Sequence, residues 1–434
     1  MRLFGTSGIR AVFDRDLLHL ALKVGRSVGS IYPEVIVGGD TRTSSGVLKH
    51  AVITGLLASG ARCQDAGVVP TPTLALAAGK FNAGVMVTAS HNPPQYNGLK
   101  FINPDGSSFG SGQQALIEEM IFNESPDVTP WNSIKESGVY RGAVEQHVGR
   151  IIEDFPAGFN LKVALDCACG AASVITPYLL RKLGCAVVEI NCIPGGVFPH
   201  PVEPTESNLA GLIRAIGESG AELGIAHDGD ADRMMAVDDR GRFIPGDKLL
   251  VILAQAMKAQ EVVTTLDTSM VVEKAGFGVR RTRIGDTWVS EELRNGGDFG
   301  GEPSGSWIFP GVSLCPDGIY AAAQMVAIAS RQKLSQLVAN IPGYSLLRDS
   351  VSSDGVAVSC LESSLMALEP LSVSRVDGIK LNFEDGWLLV RASGTEPKIR
   401  LTTEAKSQAR VRKLHNNGLR VVKSCIAKSK ERMS

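Results

Sequence analysis

The chain predicts an α/β fold built from a repeated unit, followed by a differently patterned C-terminal region. Three observations carry this. A strand, a loop led by Asp, a helix and a second strand recur in order; the region after residue 343 alternates instead; and 434 residues exceed what one core ordinarily holds. In the first unit, Val35 to Gly38 runs into Asp40, Thr41 and Ser44. A helix then keeps Val47, Ala51, Leu56 and Leu57 at roughly helical spacing, and Gly60 precedes the next strand. The second unit reads Lys162 to Leu165, Asp166, the small-residue loop Cys167 to Ser173, an apolar helix from Val174 to Leu183, Gly184, and Ala186 to Ile190. The third is fainter: Val262 to Leu266, Asp267, Thr268, Ser269, a short helix, Gly276, and Gly278 to Thr282. Three such units predict three related α/β domains with mixed sheets, each presenting loops at one sheet edge. After Asn340 to Tyr344 (NIPGY), a linker turn, Gly378 to Phe383 and Gly386 to Val390 pair around Glu384 and Asp385, and a basic helix follows Thr403. The division expected is residues 1–140, 141–242, 243–343 and a smaller α+β domain, 344–434.

Composition narrows the function. Apolar residues make up 44% and charged residues 21%, a globular balance. Basic residues number 44 against 45 acidic, for a net charge of -1, so nothing in the bulk charge favours nucleic acid or an anionic membrane. The C-terminal cations Arg410, Arg412, Lys413 and Arg420 lack interleaved aromatics and read as a solvated helix face. Leu249 to Met257 and Ile319 to Ala329 are too short or interrupted to span a bilayer, and Met1 to Arg10 has no apolar signal region, so a cytoplasmic protein with a small-molecule partner is expected. Eight scattered cysteines lack C-x-x-C spacing and read as reduced core thiols. Nothing here indicates oligomeric state.

Four loops carry chemistry. Thr88 to Pro93 (TASHNP) follows the apolar Val85, Met86 and Val87, and delivers Ser90 beside His91 into a Pro-closed loop. Ser90 is either a placed nucleophile or part of an ordinary turn in which it or Asn92 caps a following helix. Asp228 to Arg233 (DGDADR) follows the strand Leu223 to Ala226 and sets Asp228, Asp230 and Asp232 at alternate positions, so that three carboxylates can converge on a hard cation, naturally Mg²⁺. As a calcium loop it fails, since Arg233 stands where glycine is needed and Asp239 where glutamate is needed. Arg233 suits a phosphate sharing that metal. Gly301 to Gly305 (GEPSG) offers Glu302 and Ser304 to vicinal sugar hydroxyls. Arg391 to Arg400 (RASGTEPKIR) combines a possible backbone nest at Ser393, Gly394 and Thr395 with forked donors from Arg391 and Arg400.

These loops, in this order and with Phe4 to Arg10 (FGTSGIR) at the start, resemble the α-D-phosphohexomutase family over nearly the whole chain. The resemblance implies four domains around a central cleft. It implies Ser90 as a phosphoserine, and Mg²⁺ held by Asp228, Asp230, Asp232 and a Ser90 phosphate oxygen. Glu302 and Ser304 would bind sugar hydroxyls, and Arg391, Ser393, Gly394, Thr395 and Arg400 the phosphate that is not reacting. Arg10, His91 and Lys100 fall at the catalytic site, Lys100 as proton acceptor for the attacking hydroxyl. The implied reaction passes the Ser90 phosphoryl group to a hexose phosphate, forms a bisphosphorylated sugar, and returns the other phosphate to Ser90. GEPSG continuing into Trp307 to Pro310, together with LDCACGAASVITPYLL, is most similar to archaeal members acting on glucosamine phosphate, with glucose and mannose phosphates as alternatives. Ser306 stands where many members have histidine, and Pro303 replaces a residue that tracks sugar preference. Two other classes compete: a haloacid-type phosphatase using Asp228 as nucleophile, and a non-catalytic sugar-phosphate sensor.

Overall fold

The computed structural model describes residues 3–5, 7–123, 127–353, 355–393 and 397–433, with the backbone alone described for 428–433. Strands β1 (Ile9–Val12), β2 (Glu34–Gly39), β3 (Arg62–Val68), β4 (Ala83–Val87), β5 (Tyr96–Ile102) and β6 (Ser137–Val139) form a sheet of order β1-β5-β4-β2-β3-β6. Strands β7 (Lys162–Asp166), β8 (Ala186–Ile190), β9 (Leu223–His227) and β10 (Met234–Val237) follow in the order β10-β9-β7-β8. Strands β11 (Glu261–Thr265), β12 (Gly278–Thr282), β13 (Phe299–Gly301), β14 (Trp307–Phe309) and β15 (Ser313–Pro316) make the third sheet, β12-β11-β13-β14-β15. All three mix parallel and antiparallel pairs. The fourth sheet is antiparallel throughout: β16 (Ser345–Ser352), β17 (Ser372–Ser374), β18 (Ile379–Phe383), β19 (Gly386–Ala392) and β20 (Lys398–Ala405), with the helix Gln408–Met433 packed on it.

One regularity positions the site. In each sheet the chemically loaded loop joins two sequential antiparallel neighbours: β4 to β5, β9 to β10, β13 to β14, and β19 to β20. TASHNP therefore leads from strand to strand, and the helix-capping alternative for Ser90 does not apply. Two further sequence expectations change. The helix Ser45–Ala58 buries Leu48, Val52, Ile53 and Leu56, while Val47 is 49% exposed. The apolar stretch from Val174 divides at Ile175, because Pro177 starts a fresh helix, Thr176–Lys182, at a position where its missing N–H costs nothing.

The second and third α/β units share one continuous core, running from Val148 through Leu249 and Phe299 to Ile341. Tyr320 packs edge-on against Phe155 and tilted against Phe309, and Trp307 Nε1 donates to the Met234 carbonyl at 2.7 Å. The fourth sheet and one face of the first keep separate cores, while the other face of the first packs Ile36, Met86 and Ile102 in a cluster with Cys315 of β15. All eight cysteines are free thiols. The core-thiol expectation describes Cys63, Cys167, Cys185 and Cys315, but Cys360 is exposed on the fourth unit, and Cys169, Cys192 and Cys425 are only partly covered. Among the described residues no helix is long and apolar enough to cross a membrane.

Candidate active site

Ser90 lies just past the end of β4 in left-handed backbone, φ 51°, which costs a non-glycine residue about 1–2 kcal/mol. The surroundings enforce it. Its N–H donates to Thr88 Oγ1 at 2.9 Å, and its carbonyl accepts from Arg42 Nη2 at 2.8 Å. Arg42 is fully buried and holds the whole loop, donating also to the carbonyls of Asn92, Pro93 and Tyr96. Asp40 anchors Arg42 at 3.0 Å and accepts as well from Ser45 Oγ and Thr88 Oγ1. Sequence reading missed this Asp40–Arg42 pair; two opposite charges one residue apart at the end of an apolar strand were the available signal.

The acidic loop closes on Ser90 from the second sheet. Ser90 Oγ donates to Asp228 Oδ2 at 2.7 Å, and His91 Nδ1 lies 3.3 Å from the same hydroxyl. Gly229 makes the approach possible, because a Cβ there would meet the Ser90 carbonyl oxygen at 2.6 Å. Asp228, Asp230 and Asp232 are all buried, and one oxygen from each lies within 4.8 Å of the others. Lys100, on β5, donates to Asp230 at 2.6 Å and Asp232 at 2.5 Å; Thr71 Oγ1 donates to Asp230 at 2.5 Å. Asp230 Oδ1 and Asp232 Oδ1 are buried without a partner, and in this setting such oxygens fit a hard cation. Burial and the two neighbouring carboxylates push Asp228 well up. Burial also works to raise Asp230, but Lys100 and the Thr71 hydroxyl hold it below the ordinary carboxylate range.

The cations differ in state. Burial works to neutralise Lys100, yet Asp230 and Asp232 outweigh it and hold the ammonium above its usual value, so Lys100 stays charged while it faces them. Burial, with Arg233 and Arg10 nearby, pushes His91 down to about 2, leaving a neutral imidazole. Arg10 reaches the same loop from β1, donating to Asn92 Oδ1 at 3.1 Å. Arg233 N donates to Asp228 Oδ1, and its guanidinium donates to Glu203 at 3.3 Å.

Beyond Glu203 lies a cavity of about 410 Å³, of a size that suits a small ligand, lined by Asp247, Asp267, Glu302, Ser304 and Arg348 among others. The GEPSG loop is fixed against β10, with Met234 N donating to the Gly305 carbonyl. Glu302 accepts from Gly285 N at 2.8 Å, and burial, with Asp286 and Asp267 nearby, pushes it up to about 8. Ser304 Oγ is buried and unpartnered. Ser306 is buried in the bridge that joins this loop to Arg233.

From the fourth unit, Arg391 faces Arg400 directly across β19 and β20. Like charges directly opposite oppose sheet formation and suit a shared anion. Arg391 Nε lies 3.7 Å from Asp377, whose carboxylate accepts from Ile284 N on the cavity wall. Ser393 donates its N–H to the Lys398 carbonyl, and its Oγ is buried without a partner. Gly394 and Thr395 lie outside the described residues.

A serine on a buried acidic triad, beside a polar cavity and an arginine pair, defines a phosphoryl-transfer class of protein on this fold. Family models for phosphoglucomutase/phosphomannomutase match in order: alpha/beta/alpha domain I at residues 1–127, domain II at 146–241, domain III at 245–372 and the C-terminal domain at 356–417. The chain belongs to the phosphoglucomutase/phosphomannomutase family. It is 45% identical to a probable phosphoglucosamine mutase of Methanocella arvoryzae, over 98% of this chain and 99% of that one. It is 37% identical to a phosphoglucosamine mutase of Methanococcus aeolicus, over 99% and 100%. The crystal structure of a phosphoglucomutase/phosphomannomutase family protein from Burkholderia thailandensis superposes with TM-score 0.88 at 27% identity, covering 98% of this chain and 97% of that one.

Proposed function

We propose that this chain is a phosphohexomutase that interconverts glucosamine 6-phosphate and glucosamine 1-phosphate through a phosphoserine at Ser90. The observation that carries the reading is the Ser90 hydroxyl held 2.7 Å from Asp228 at a buried acidic triad. Full-length likeness to relatives named phosphoglucosamine mutase supports the sugar. The bond from phosphorus to Ser90 Oγ breaks as one forms to a sugar hydroxyl; the bisphosphorylated sugar then turns, and its other phosphate returns to Ser90. Asp228, Asp230 and Asp232 would hold Mg²⁺, which supplies charge neutralisation at the transferring group. Lys100, charged where it stands, suits stabilising that charge better than accepting the hydroxyl proton. Neutral His91 and the Asn92-bound Arg10 orient the serine loop. Glu302 and Ser304 would meet sugar hydroxyls; Arg391, Ser393, Gly394, Thr395 and Arg400 would hold the resting phosphate, with Arg233 between the two sites.

The test compares kcat/KM for the 1-phosphates of glucosamine, glucose and mannose, with a trace of bisphosphate activator. Glucosamine phosphate is expected to lead. A preference of about tenfold or more for glucose or mannose, about 1.4 kcal/mol, overturns the sugar assignment and leaves the mutase reading standing.

A further inference from the structure

Cys167 and Cys192 are 25 positions apart in sequence, yet their sulfurs lie 3.3 Å apart. The fold brings this about: β7 and β8 are parallel neighbours whose last paired residues are Asp166 and Ile190, so both side chains leave adjacent strand ends. Closing to a bonded length of about 2.05 Å takes a movement of about 1.3 Å. Cys167 is fully buried, whereas Cys192 is partly covered and precedes Ile193, which is 81% exposed. Immediately beyond Cys167, Ala168 and Cys169 both adopt left-handed backbone, φ 48° and 55°. The turn then lies on the acidic loop: Ala171 N donates to the Gly229 carbonyl at 2.9 Å, and a Cβ on Gly170 would meet that oxygen at 2.7 Å.

We propose that Cys167 and Cys192 form a reversible thiol–disulfide site whose closure displaces the turn supporting Gly229 and so weakens the acidic loop. The effect on turnover rests on the mutase reading; formation of the bond does not. Cys192, the less buried of the two and the thiol that donates to Cys167 Sγ, is the attacking sulfur: its hydrogen bond with Cys167 lowers it, while burial raises Cys167. With a small-molecule disulfide as oxidant, the Cys192 thiolate attacks one of its sulfurs and expels the first thiolate. Cys167 then gives up its proton and attacks the Cys192 sulfur, expelling the second. Two protein thiols are oxidised, one small disulfide is reduced to two thiols, and the two released protons end on those thiols.

The test uses the full chain carrying Cys360→Ser, which removes the exposed thiol, and glutathione disulfide as probe. The expected result is loss of two hydrogens in the intact mass and a cross-linked peptide joining residues 167 and 192. A severalfold fall in turnover at limiting Mg²⁺ should accompany it, with mass and turnover both restored by dithiothreitol. Cys192→Ser should abolish the cross-link, and Cys169→Ser should leave it. A stable glutathione adduct on Cys192 without closure, or a cross-link that needs Cys169, overturns the site. A cross-link with unchanged turnover overturns its link to the acidic loop. Absence of mutase turnover in the reduced chain would sink the proposed function instead, and the mass measurement would still decide the disulfide.

Discussion

Ser90 Oγ donates to Asp228 Oδ2 at 2.7 Å across 138 positions of sequence. Neither residue reaches the other through its own sheet: one sits on the turn after β4, the other on the turn after β9. The contact exists because Gly229 admits the Ser90 carbonyl and Arg42 fixes that carbonyl from behind.

On the proposed mechanism, Ser90→Ala removes the phosphoryl carrier and leaves the backbone hydrogen bonds of the loop in place. Turnover should fall by at least about 10³-fold while the fold is retained, read from an unchanged circular-dichroism spectrum. Intact mass of active wild-type protein should show one phosphate; its absence would rule out the phosphoserine.

Mg²⁺ should stabilise the wild type, since two buried carboxylate oxygens lack partners. At about 100 times the dissociation constant the gain is about 2.7 kcal/mol. Asp230→Asn should lose most of that gain along with turnover. Undiminished turnover after exhaustive EDTA dialysis would count against the metal.

Arg42→Met leaves buried Asp40 without its cation and frees four loop carbonyls. A loss of about 3–5 kcal/mol is expected, read from the urea midpoint. A loss below about 1 kcal/mol would show that the loop holds itself.

Lys100→Met tests the two parts open to that lysine. A charge-stabilising part predicts lower kcat with the same shape of pH–rate profile; loss of one limb of the profile would make Lys100 the proton acceptor.

Glu302 gives a pH signature. Its folded value, about 8, lies above its ordinary 4.5, so the folded state binds the proton more tightly than the unfolded chain. That contribution is fully present below pH 4.5 and is lost as pH rises through about 8. Glu302→Gln, which keeps the oxygen that accepts from Gly285, should match the wild type near pH 4.5 and be the more stable protein above pH 8 in chemical denaturation. A wild type that loses nothing relative to Glu302→Gln over that range would refute it.

The residues of the site were legible wherever chemistry-bearing side chains crowd a short turn after an apolar strand, as at Ser90, Asp228 to Asp232 and Glu302. Their pairings were not. Lys100 came from the family resemblance alone, since it meets Asp230 and Asp232 across two sheets, and Asp40 was visible only as the head of a repeat, because its job depends on Arg42 reaching carbonyls some fifty positions on. Helical spacing placed the helix at Ser45–Ala58 but not its inner face, since Val47 and Leu48 are equally apolar and only packing on the sheet chooses between them. The shared core of the second and third units was also hidden: each repeat predicts a sheet, and no local pattern says that two sheets cover one interior.

The split of the site between two sheets gives it a timetable. During synthesis the serine emerges long before its acidic partners, and at about 5–20 residues per second the 138 positions between Ser90 and Asp228 take on the order of ten seconds to make. Throughout that interval the hydroxyl lacks the carboxylates of the acidic loop. On the proposed mechanism a half-made chain is therefore chemically silent toward sugar phosphates, and the competence to take up phosphate would itself report that the second unit has folded onto the first.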